Sequence, residues 1–150
     1  MNHVPSTSLL EALKGLIDND PRLSLAHLGN ALSLIKVSLP PNSWVGIYRD
    51  DGKALILDAF QGTPACEEIA YGKGVVGSCF VQQATVTVKD VSTFPGYICC
   101  DAAAKSEICV PIKRQDKVIA ILDIDRPDIH DFGNEKEEFE AIAELLLNWL

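Results

Sequence analysis

The chain has 150 residues, 47% of them hydrophobic and 23% charged, with a net charge of −8. That length and balance suit one globular domain spanning residues 1–150 and leave little room for a second core. The negative excess speaks against a nucleic-acid surface and against an anionic membrane, since both would need clustered Lys and Arg.

The opening Met1-Asn2-His3-Val4-Pro5 lacks the basic start and apolar run of a signal peptide. No stretch nears the roughly 18 consecutive apolar residues of a spanning helix, so a cytoplasmic location is expected. Ser8 to Asp18 carries Leu9, Leu13, Leu16 and Ile17 at helical spacing after a Ser/Thr-rich cap region. Pro21 opens a second helix through Leu25, Leu28, Leu32, Ile35 and Leu39, and Pro40-Pro41 ends it. Trp44 to Tyr48 and Ala54 to Phe60 read as a strand pair turned at Asp50-Asp51-Gly52-Lys53.

Gly72-Lys73-Gly74 leads into Val75 to Gln83, read as a short helix, and Thr85 to Val88 alternates like a strand. Lys89 to Lys105 is irregular, and a loop of that length inside a compact domain is usually functional or disordered. Glu107 to Lys113 and Val118 to Asp123 form a second hairpin turned at Gln115-Asp116. Asn134 to Leu150 is a helix with an acidic first turn and Phe139, Ile142, Leu146 and Trp149 on one stripe. Terminal helices around a largely antiparallel sheet make an α+β domain.

Five cysteines, at 66, 79, 99, 100 and 109, are an odd number for a cytoplasmic chain, where thiols stay reduced. No C-x-x-C pair exists and the three histidines lie far from the cysteines, so no metal site is expected. Cys79 and Cys109 read as small core residues. Cys99 and Cys100 sit in the irregular loop beside Asp101. Either the loop is simply anchored by Tyr97 and Ile98, or one thiol faces a pocket as a nucleophile. Asp101 disfavours a thiolate, so other groups would have to lower the thiol pKa.

Asp123 and Asp125, two apart in a strand, share a face. Spacing alone favours a strand end running into a solvated turn before Arg126-Pro127. The alternative is an enclosed acid pair, in which two close carboxylates raise at least one pKa. Trp44 and Tyr48 share a face with Phe60 alongside, which reads first as a core cluster and second as an aromatic wall for a small apolar group. Gly72-x-Gly74-x-x-Gly77 matches a dinucleotide fingerprint by letter only, since no βαβ unit surrounds it.

Five blocks occur in order: Asn42 to Tyr48, Phe60 to Cys66, Gly72 to Gly77, Cys100 to Ile108 and Leu122 to Asp125. Together they resemble the free methionine-R-sulfoxide reductases, which are built on a GAF domain, and the resemblance covers nearly the whole chain. It implies an antiparallel sheet of about six strands flanked by helices, with a pocket roofed by the loop carrying Cys100. It further implies that Cys100 is the nucleophile and Cys66 the resolving thiol. Glu107, Asp123 and Asp125 would form an acidic pocket for the substrate's amino group, with Trp44 and Tyr48 as its aromatic wall. The implied partners are free methionine-R-sulfoxide and a thioredoxin-type dithiol, with no bound cofactor; a homodimer is left open.

The family usually keeps a further cysteine where this chain has Val76. Cys79, one helical turn on, is therefore an alternative resolving thiol. A non-catalytic GAF-like sensor of small ligands is the rival reading. No nucleotide signature supports it, and an acidic pocket would repel phosphate.

Overall fold

A computed structural model describes residues 8–150. Helix α1 (Leu9–Lys14) starts at Ser8, whose hydroxyl accepts from the Glu11 N–H at 3.2 Å. It stops a turn earlier than its apolar spacing suggests. Gly15 caps it, and Asp18 turns the chain by accepting from the Asp20 N–H, leaving Ile17 exposed. Pro21–Leu23 forms a 3₁₀ turn capped by Asp20, and helix α2 (Ser24–Ser38) follows. Leu28, Leu32 and Ile35 are buried as expected, whereas Leu25 faces solvent because the turn before it shifts the stripe. Leu39 is extended, as a residue before proline must be.

Six strands follow: β1 (Trp44–Asp50), β2 (Leu55–Gln61), β3 (Glu68–Ile69), β4 (Val86–Val88), β5 (Ser106–Arg114) and β6 (Lys117–Arg126). They form one antiparallel sheet in the order β3-β2-β1-β6-β5-β4. The β1–β2 turn is set by Asp51, whose carboxylate accepts from the Lys53 and Ala54 N–H groups. The β5–β6 turn puts Gln115 and Asp116 both at positive φ, the geometry that matches strand twist. Strand β6 runs on to Arg126, three residues past the expected Asp123 limit, so Asp125 lies within the sheet, paired with Trp44 on one side and Glu107 on the other.

Strand alternation gives the sheet two covered faces. Ile108, Val110 and Ile112 of β5 and Leu122 and Ile124 of β6 pack under α1, α2 and helix α4 (Glu135–Leu146). The last turn of that terminal helix tightens to 3₁₀ at Leu147–Trp149, and Phe139, Ile142, Leu146 and Trp149 are all buried. The other face carries Trp44, Tyr48, Cys109 and Ile121 under helix α3 (Gly74–Gln82). The 89–105 segment closes that face. It holds a 3₁₀ turn at Val91–Thr93 and is tied down by the Val91 N–H to Lys105 O and the Lys105 N–H to Arg126 O bonds.

Candidate active site

Residue alternation delivers Glu107 from β5 and Asp123 and Asp125 from β6 to the α3 face of the sheet, directly across from one another: Glu107 opposes Asp125, and Cys109 opposes Asp123. All three acids are buried, with exposures of 5%, 5% and 8%. The solvated-turn reading of Asp123 and Asp125 is thus overturned. The loop that returns over this face encloses what would otherwise be a wet strand end.

Trp44 forms one wall. Its ring stacks on Phe60 at 5.5 Å between centroids and meets Tyr48 at 6.2 Å. Its indole N–H donates to Thr63 O at 2.8 Å. Two glycines make room for it. A Cβ on Gly46 would drive into the Trp44 ring and come within 2.7 Å of Phe60 Cβ. One on Gly62, at φ 138°, would sit 2.5 Å from Trp44 Cδ1. Gly77, in turn, lets α3 approach within van der Waals contact of Gly72, and a Cβ there would lie 2.6 Å from Ala70 O. The Gly72–Gly77 pattern is therefore a packing device.

The Tyr48 hydroxyl donates to Cys66 O at 2.8 Å, which fixes the segment after β2 beside the cavity. Cys66 and Cys100 form a disulfide with Cα atoms 5.4 Å apart, joining that segment to the roof loop. Cys100 and Asp101 line the cavity together with Tyr97 and Ile98, and Val75, Val76 and Lys73 close it from the α3 side. In this oxidised form its open core is about 20 Å³, room for one water. Cys99 is exposed and free. Cys79 is buried, does not line the cavity, and its thiol donates to Cys109 O at 3.4 Å. Burial pushes it up to about 12.

The charges are strongly frustrated. Burial, reinforced by the charges of Asp123 and Asp125, pushes Glu107 well above the usual carboxylate range. Burial and then the Asp123 and Asp101 charges do the same to Asp125. Burial also raises Asp123, but hydrogen bonds from Glu107 and Cys109 oppose it. Glu107 and Asp125 are thus pushed furthest towards the neutral form, and Asp123 is raised against opposing hydrogen bonds. The same acids, after burial, push the Tyr48 hydroxyl above its ordinary range, so it remains a donor. Asp125 Oδ1 is buried without a hydrogen-bond partner among the described residues.

Sequence reading placed Cys66, Cys100, Trp44, Tyr48, Glu107, Asp123 and Asp125 around a pocket through resemblance, and the structure brings all seven together. It missed Cys109, whose Sγ lies 3.4 Å from Glu107 Oε1 and 3.4 Å from Asp123 Oδ1. The i, i+2 step from Glu107 was the signal that puts it on the same face.

The GAF-domain family model matches residues 28–147. The free methionine-R-sulfoxide reductase of Saccharomyces cerevisiae is 39% identical over 147 residues, spanning 92% of this chain and 81% of that protein. The reduced form of fRMsr from Staphylococcus aureus superposes with a TM-score of 0.86 at 39% identity, covering 100% of this chain and 99% of that one. Free methionine-R-sulfoxide reductase from Neisseria meningitidis, solved in complex with its substrate, gives a TM-score of 0.84 at 28% identity, over 98% of this chain and 93% of that one. This chain belongs to the GAF-domain family, in the branch of its free methionine-R-sulfoxide reductase relatives.

Proposed function

We propose that this protein reduces free methionine-R-sulfoxide to methionine with Cys100 as nucleophile. The observation that carries the reading is the Cys66–Cys100 disulfide at the roof of a buried pocket floored by three carboxyl groups. The names of the similar proteins support the same substrate.

The pocket's parts fit the chemistry. An ionised carboxylate on the floor pairs with the substrate's ammonium, a group that a methionyl residue inside a peptide does not have. The Trp44 face packs against the S-methyl group and the thioether stem. A sulfoxide oxygen leaves sulfur poorly until it is protonated, and a carboxyl kept neutral by burial among like charges can supply that proton. The Cys100 thiolate attacks the sulfur. The S–O bond breaks, the oxygen and the donated proton pass to Cys100 as a sulfenic acid, and methionine departs with the electron pair. The Cys66 thiol then condenses with the sulfenic acid, releasing water and closing the disulfide. A thioredoxin-type dithiol reopens it by exchange.

Cys66→Ser separates these steps. In a single-turnover experiment it should release about one equivalent of methionine per chain, as the scheme requires, and then stall as a sulfenic acid that a dimedone-type probe labels. Continuous cycling of that variant with the dithiol would remove Cys66 from the scheme.

A further inference from the structure

Glu107, Cys109 and Asp123 each offer one ligand atom, and the three atoms lie within 4.8 Å of one another in the buried floor. The two sulfur-to-oxygen separations are 3.4 Å. A tetrahedral zinc with Zn–S of about 2.3 Å and Zn–O of about 2.0 Å sets sulfur and oxygen about 3.5 Å apart. The sulfur therefore already stands at tetrahedron-edge distance from both oxygens. A second observation points the same way: Asp125 Oδ1 is buried, lines the same cavity and has no partner among the described residues. None of the three acids is in an ion pair with Lys, Arg or His among the described residues. Linear spacing hid this set, because its members come from two strands and include neither a C-x-x-C pair nor a histidine.

We propose that Glu107, Cys109 and Asp123 form a binding site for a soft divalent cation of the zinc class, with Asp125 as a fourth oxygen donor. The thiolate selects against Mg2+ and Ca2+, which take all-oxygen shells. Binding exchanges the Cys109 thiol proton for the ion, so one S–H bond breaks, one S–metal bond forms and the proton goes to solvent. The cation also neutralises carboxylates that no protein cation faces. If these carboxylates bind the substrate's ammonium, a consequence that rests on the function proposed above, the ion and methionine sulfoxide exclude each other.

The test uses oxidised protein carrying Cys99→Ser, which leaves Cys79 and Cys109 as the free thiols. Titration with Cd2+ should give an ultraviolet thiolate-to-metal band saturating at one ion per chain. Proton release should follow it. Cys109→Val should abolish the band, and Cys79→Ala should keep it. Glu107→Gln, which keeps the thiol, should weaken Cd2+ binding at least about tenfold, as for a lost ligand. Absence of the band overturns the proposal, and so does a band that survives Cys109→Val or an affinity unmoved by Glu107→Gln. Failure of free methionine sulfoxide to displace Cd2+ from the Cys100→Ser protein would count against the ammonium assignment and leave the metal site standing.

Discussion

Opening the Cys66–Cys100 bond should cost this fold a calculable amount of stability. The bond spans 34 residues of sequence. For a loop of that length, closure removes about 12.6 cal/mol/K from the unfolded chain, or about 3.8 kcal/mol at 25 °C. For a chain of this size that corresponds to a shift in Tm of roughly 8–15 °C. Urea unfolding of the oxidised and reduced forms measures it directly. The two tryptophans help, since Trp44 reports on the pocket layer and Trp149 on the helical layer, and coincident transitions test two-state behaviour. Cys66→Ser should abolish the redox dependence while leaving the reduced-state stability nearly unchanged. An oxidised form less than about 1 kcal/mol more stable than the reduced one would refute the reasoning, because the chain-entropy difference for this loop is several times larger. A redox shift that persists in Cys66→Ser would locate the bond elsewhere.

Two further results are expected from the acidic floor. Glu107→Gln, Asp123→Asn and Asp125→Asn should each lower kcat/KM, with at least one loss of about tenfold or more, the scale of a charge-assisted contact; unchanged kinetics in all three would move the substrate elsewhere. The pH dependence of stability should also change sign relative to ordinary carboxylates. Glu107 and Asp125 are raised in the folded state, so from about pH 4 upward the folded chain holds protons that the unfolded chain releases. Their contribution to unfolding free energy therefore falls as pH rises towards the raised values. Glu107→Gln removes part of that slope, so its stability relative to wild type should improve between pH 5 and pH 8. A Glu107→Gln urea midpoint that gains nothing on wild type over that range would contradict the burial of that charge.

Much of this is legible in the sequence. The helical layer follows from apolar spacing, because Leu28, Leu32 and Ile35 and the Phe139–Trp149 stripe bury against one face of the sheet. Both hairpins announce themselves through their turn residues. The two-residue strand Glu68–Ile69 was not readable, since so short a segment has no period. The acid pair shows a different gap. Spacing correctly puts Asp123 and Asp125 on one face, but whether that face is wet depends on a loop returning from residues 89–105, which no local pattern encodes. Likewise, nothing in spacing pairs Cys66 with Cys100. The resemblance suggested that pairing, and Tyr48 shows physically how the Cys66 segment is held in place. Cys109 was passed over as core because its partners lie across the strand pair.

The central claim is tested most directly by giving the purified protein free methionine-R-sulfoxide and a thioredoxin-type dithiol system and measuring methionine formed. Wild type should turn over repeatedly, and Cys100→Ser, with its fold intact by circular dichroism, should form none above the uncatalysed background. No methionine from wild type, or undiminished turnover by Cys100→Ser, would contradict the assignment of this pocket as a sulfoxide-reducing site.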